Sequence, residues 1–227
     1  MLAGSMSSDS LPGVAHASAA PDRFWDQSVR VAVWSVALGI GLEIAHLALL
    51  AFQDRLPDVA RVVAETLGKV TWSVLVCVSI SFGMAAGRAR PRAMALLGML
   101  SAPAGFAIAR SVHKGVGSAL SVAPGTAEAL SPFLMAGIKA VEYGVLGLVV
   151  ARISSRPVIS LRIHILAGLA IGVAAAILVS MLLLRAQPNT PTMVIVGRAV
   201  AEILFPVGCS AVIYVTERAM RLARGSP

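Results

Sequence analysis

The chain has 227 residues, 57% of them hydrophobic and 13% charged, with 19 basic residues against 11 acidic ones and a mean hydropathy of +0.84. Ordinary soluble domains carry about 25% charged residues, so this composition cannot cover a globular surface in water and excludes a soluble fold. A formal charge of +8 would point to nucleic acid in a soluble protein, but aromatics are only 5% here, too few to interleave such a surface, and the basic residues stand in short clusters between apolar runs. No nucleic-acid partner is expected; the partner is the lipid bilayer.

Residues 1–28 read as a flexible tail. The opening stretch, MLAGSMSSDSLPGVAHASAAPD, has neither the basic start nor the apolar run of a cleaved leader. The first apolar helix is therefore expected to act as an uncleaved anchor. Six apolar segments follow, at 31–52, 70–86, 93–109, 133–151, 163–184 and 193–216, each near the roughly 20 residues that a hydrocarbon core of about 30 Å requires. Turn-forming residues punctuate them at Pro57, Pro91, Pro124 with Gly125, Pro157 and Pro191. The expected fold is all-α: a polytopic bundle of about six transmembrane helices over 29–218, followed by a basic tail at 219–227. Pro103 and Gly105 interrupt the third segment. A kinked span satisfies that pattern, and so does a re-entrant segment that would lower the count to five.

With six spans, Arg23, Arg30, the clusters at 88–92 and 152–162, and Arg218, Arg221 and Arg224 fall on one side, giving eleven basic residues against five on the other. The bias of Lys and Arg toward the cytoplasm then places both termini inside. Ahead of the second segment, Asp58, Arg61, Glu65 and Lys69 recur every three or four residues with alternating sign. They read as a solvated, self-paired helical extension, with an outer vestibule as the alternative. In the fifth segment Gly168, Gly172, Ala176 and Ser180 form a stripe of small residues. Such a stripe lets helix backbones approach closely, within one chain or across a homo-oligomer.

Three basic residues, Lys69, Lys139 and Arg198, lie at or within the apolar segments, and three glutamates, Glu43, Glu142 and Glu202, lie inside them. Charge in hydrocarbon costs several kcal/mol, so it persists where it is paired, hydrated or used. His46 follows Glu43 by three residues, Lys139 precedes Glu142 by three, and Arg198 precedes Glu202 by four. The 1.5 Å rise per residue brings Glu43, Glu142 and Glu202 to roughly 15–22 Å from the cytoplasmic side. The expected substrate- or ion-binding site is therefore one polar layer of Glu43, His46, Lys139, Glu142, Arg198 and Glu202, with Ser73, Tyr143 and Cys209 lining its cavity. Three acids against Lys139 and Arg198 leave one negative charge for a proton or cation to neutralise. Simple pairing of Lys139 with Glu142 and of Arg198 with Glu202 is the structural alternative.

Other chemistry finds no support. Cys77 and Cys209 stand alone in apolar runs, and no Cys or His falls at metal-ligand spacing, so no cofactor and no metal site are expected. His46 and His164 lie at depths of about 24 Å and 5 Å and cannot share a haem. His113 is expected in an outer loop. No catalytic residues are assigned, since the hydrolase and nucleotide-binding motifs are missing. The sequence is thus expected to encode a small permease or channel-like protein of a cytoplasmic membrane, or else a membrane subunit whose ion pairs are structural.

Overall fold

Each apolar segment becomes one long helix. In a computed structural model, which describes residues 19–52, 54, 56–122, 130–156 and 158–225, the helices are α1 (Ala19–Ala51), α2 (Val59–Phe82), α3 (Arg90–Ala119), α4 (Pro132–Ser154), α5 (Leu161–Ala186) and α6 (Thr192–Gly225). Among the described residues there is no strand. All six helices are long and apolar enough to cross a bilayer. The expected tail up to residue 18 and the breaks at Pro124, Gly125 and Pro157 lie outside the described residues.

The helix ends follow local chemistry rather than hydropathy. The Asp58 carboxylate accepts the backbone N–H of Arg61 at 2.8 Å and so caps α2 well before the apolar run begins. Pro91 and Pro132 occupy the first turns of α3 and α4, where the missing N–H costs nothing. α3 runs unbroken through Pro103 for 30 residues, so the third segment is one continuous helix long enough to span and does not turn back on itself. It also carries Arg110, His113 and Lys114, which places His113 on a helix and not in a loop. Residues 19–28 belong to α1 and 219–225 to α6, so the helical backbone extends into both stretches expected as tails. Hydropathy marks where a helix meets hydrocarbon, whereas capping marks where it stops.

Consecutive helices pack side by side, α6 closes the ring onto α1, and α2 and α4 also touch α6 across the middle. Close crossings are made at glycines. A Cβ on Gly98 would sit 2.2 Å from the Tyr143 carbonyl oxygen, and one on Gly147 would sit 2.3 Å from that of Met94, so α3 and α4 meet backbone to backbone. Gly137, on the same helix, has nothing within 4 Å and does not join this face. Gly168 and Gly172 face Pro206, Val207 and Ile203, which commits that part of the small-residue stripe to α6 of the same chain. Between α2 and α3 the chain turns through two short 3-10 segments, where Gly87 takes a left-handed φ of 55° that favours glycine.

Val76, Cys77, Ile80, Met94, Leu146, Val150 and Ile213 form the buried core. Large apolar side chains on the outside, among them Ile44, Leu100, Val145, Leu166 and Ile177, stay exposed. An apolar exterior around a packed interior is the arrangement that a hydrocarbon solvent stabilises. At the end that holds the start of α1 and the finish of α6, Arg90 donates to Glu217 at 2.8 Å, and Arg221 donates to Glu217 at 3.0 Å and to the Ser154 carbonyl at 2.6 Å. These bonds tie α3, α4 and α6 together there. The two cavities lie toward the opposite end.

Candidate functional site

Four helices wall a cavity of about 310 Å³ in the half of the bundle away from the Glu217 cluster. α2 contributes Glu65, Gly68, Lys69 and Trp72, while α3 contributes Phe106, Ala109, Arg110 and His113. α4 contributes Lys139, and α6 contributes Ala201, Glu202 and Phe205. Measured from the near helix ends at 1.5 Å per residue, Glu65 and Lys139 lie about 10 Å in, and Lys69 and Glu202 about 15 Å. Trp72, Phe106 and Phe205 lie at about 20 Å by the same measure. Trp72 meets Phe106, Tyr143 and Phe205 edge to face, with ring centroids 6.4, 5.4 and 6.3 Å apart. This aromatic cluster closes the cavity against the apolar core beneath it.

The polar groups form two clusters rather than one layer. In the first, the Lys139 ammonium lies between α4 and α6, donating to Glu142 at 2.8 Å and to Glu202 by a shorter contact. The exposures of these side chains are 8% for Lys139, 1% for Glu142 and 9% for Glu202. Only Lys139 and Glu202 reach the cavity wall, and Glu142 stands behind them. Two carboxylates share one ammonium, so the cluster carries one more acid than base.

In the second cluster, the Lys69 ammonium pairs with Glu43 of α1, lies 3.0 Å from the His46 Nδ1 and 3.6 Å from a Glu65 oxygen. Glu65 also accepts from Arg61 at 3.2 Å and lies 3.3 Å from His46. The packing beneath explains this meeting. A Cβ on Gly39 would lie 2.7 Å from the Val70 Cα, and Ser73 Oγ donates to the Ser35 carbonyl at 2.7 Å, so α1 and α2 are in close contact one turn from Glu43. The Ser35, Gly39, Glu43 and His46 stripe of α1 is thus the face applied to α2. A second cavity of about 220 Å³ runs past His46, Glu65, Lys69 and Arg198 and shares Glu65, Lys69, Ala201 and Phe205 with the first.

Several sequence expectations change. Arg198 does not pair with Glu202. Its guanidinium approaches the Met135 sulfur at 3.7 Å, and among the described residues it has no carboxylate within 4.0 Å. The base lies N-terminal to the acid, the weaker order for an intrahelical pair, and Lys139 from α4 takes the carboxylate instead. Glu43 is paired with Lys69 and does not depend on His46 alone. Ser73, Tyr143 and Cys209 are each 1% exposed and pack inside the bundle, so they do not line the cavity. Lys69 occupies the place expected of Ser73, because α2 starts so early that a residue one turn nearer its N-terminus is already deep. Lys69, Glu65 and the aromatic floor were missed as site residues. The signal for Lys69 was present in the unbalanced acid of α1 and in the alternating charges after Asp58.

The chain matches no protein-family model, no curated protein and no solved structure.

Proposed function

We propose that this chain is a small permease of a bacterial-type cytoplasmic membrane that moves a cation or proton through the bundle from the cavity. The single observation that carries the reading is a cavity of about 310 Å³ whose wall brings Glu65, Lys69, Lys139 and Glu202 between apolar, lipid-compatible helices. Buried charge that serves only packing has no need of a path to it, and this path passes two lysine-centred clusters before an aromatic floor. The arginine bias puts the helix ends near Glu217 in the cytoplasm, so the cavity faces outward. The excess carboxylate at Lys139 is where a proton or cation is taken up: in a low dielectric, one added positive charge neutralises the Glu142, Lys139 and Glu202 group.

The other reading is a static membrane subunit, favoured by the pairing of Glu43, Glu65, Glu142, Glu202 and Glu217 with basic groups. Flux in proteoliposomes separates the two. With an imposed membrane potential and a pH-sensitive dye or a cation indicator in the lumen, the wild-type chain passes ions and Glu202→Gln loses most of that rate. Liposomes holding correctly folded protein that stay as tight as empty ones to protons, alkali cations and divalent cations refute transport.

A further inference from the structure

The groups around Lys69 have the composition and spacing of a metal site. Glu43 and His46 stand three residues apart on α1, and Glu65 faces them from α2. One donor atom from each lies within 4.8 Å of the other two. One pair, His46 Nδ1 and a Glu65 oxygen, is 3.3 Å apart, which is about the edge of a tetrahedron with zinc bonds of about 2.0–2.1 Å. The Lys69 ammonium is in contact with all three groups at once.

We propose that Glu43, His46 and Glu65 form a binding site for a divalent first-row transition cation, and that the Lys69 ammonium is an internal cation which the metal displaces. This goes beyond the permease reading by adding a second cation site, at Lys69 rather than Lys139, and it rests on that reading for its transport role. Two carboxylates and an imidazole suit such an ion in hardness and charge. Glu43 is 3% exposed, and its second oxygen, Oε1, is buried with no hydrogen-bond partner among the described residues, so this carboxylate has a ligand position to spare. Arg61 holds the opposite oxygen of Glu65 from the one facing Lys69, and so orients that carboxylate without filling the site. The smaller cavity reaches His46 and Glu65 and supplies room for an open coordination position. Lys69 lines both cavities, so its ammonium has space to withdraw toward the larger one, whose wall carries Glu202.

The test uses full-length, tag-free protein in detergent, with Zn²⁺ as the probe, followed by calorimetry and by thermal unfolding. The wild-type chain binds one Zn²⁺. His46→Ala and Glu43→Gln each weaken binding by about tenfold or more, on the scale seen when groups around a metal are removed. Lys69→Met strengthens binding by about tenfold, because the buried Glu43 carboxylate and the half-buried Glu65 carboxylate lose their resident cation and the metal replaces it. That variant is less stable than wild type without metal and regains its stability with Zn²⁺, a response that a purely structural lysine does not give. Absence of stoichiometric Zn²⁺ binding in both wild type and Lys69→Met overturns the proposal, as does binding that ignores His46→Ala, a position 30% exposed that tolerates truncation. Zn²⁺ bound by these residues in liposomes that carry no ion refutes transport and leaves the metal site standing. Flux of protons or alkali cations, without Zn²⁺ binding, does the reverse.

Discussion

Lys139 offers the most direct test of how the interior is held together. In Lys139→Met the long apolar stem is kept and the ammonium is removed, so Glu142 and Glu202 face each other with no cation between them. Breaking a buried ion pair by deleting one partner costs about 3–5 kcal/mol, because the remaining charge stays desolvated. Here two carboxylates, 1% and 9% exposed, lose the same partner. The loss is therefore placed at the upper end, at about 5 kcal/mol. For chains of about this size each kcal/mol moves the unfolding midpoint by about 2–4 °C, which gives a fall of about 10–20 °C. Replacing the acids as well, in Lys139→Met with Glu142→Gln and Glu202→Gln, removes the charge and recovers most of the midpoint, since neutral residues of similar volume often replace a buried pair without loss. Arg198→Met serves as a control and moves the midpoint little, because its contact is with a thioether. The assay is tryptophan fluorescence during heating in detergent, with Trp72 reporting from the cavity floor. A Lys139→Met midpoint within about 2 °C of wild type, or a triple variant no more stable than the single one, refutes the shared-charge account.

The glycine crossings give opposite outcomes on one helix. Gly147→Ala drives a methyl against the Met94 carbonyl and destabilises by about 1–3 kcal/mol, while Gly137→Ala meets nothing and is neutral or stabilising by up to about 1 kcal/mol, both read from thermal midpoints. Glu217→Gln weakens the bonds to Arg90 and Arg221 and costs about 1.5–3 kcal/mol; its effect adds to that of Lys139→Met, since the clusters share no residue. In the folded protein a charged thiol reagent leaves Cys77 and Cys209 unmodified, as each is 1% exposed, but labels Ala201→Cys on the wall shared by the two cavities. Mass spectrometry reads both results, and labelling of the native cysteines before unfolding contradicts the packing.

Composition alone determined the solvent. With so little charge spread over so many apolar residues, the chain must bury its backbone polar groups in helices within lipid, and apolar run length then gives six spans. Helical phase puts Ser35, Gly39, Glu43 and His46 on one side of α1 from the sequence alone, because 3.6-residue periodicity is a property of one helix. Partnerships across helices were not available from periodicity. Lys139 was seen beside Glu142 because they share a turn, but its bond to Glu202 depends on the α4 and α6 crossing. Glu43 was seen with His46, yet its cation comes from Lys69 of α2, brought within reach where Gly39 admits Val70. The reason is geometric: a charged side chain in a bundle pairs with whatever the closest backbone approach presents. Those approaches are set by small residues on two different helices, and only the folded structure fixes which two will meet.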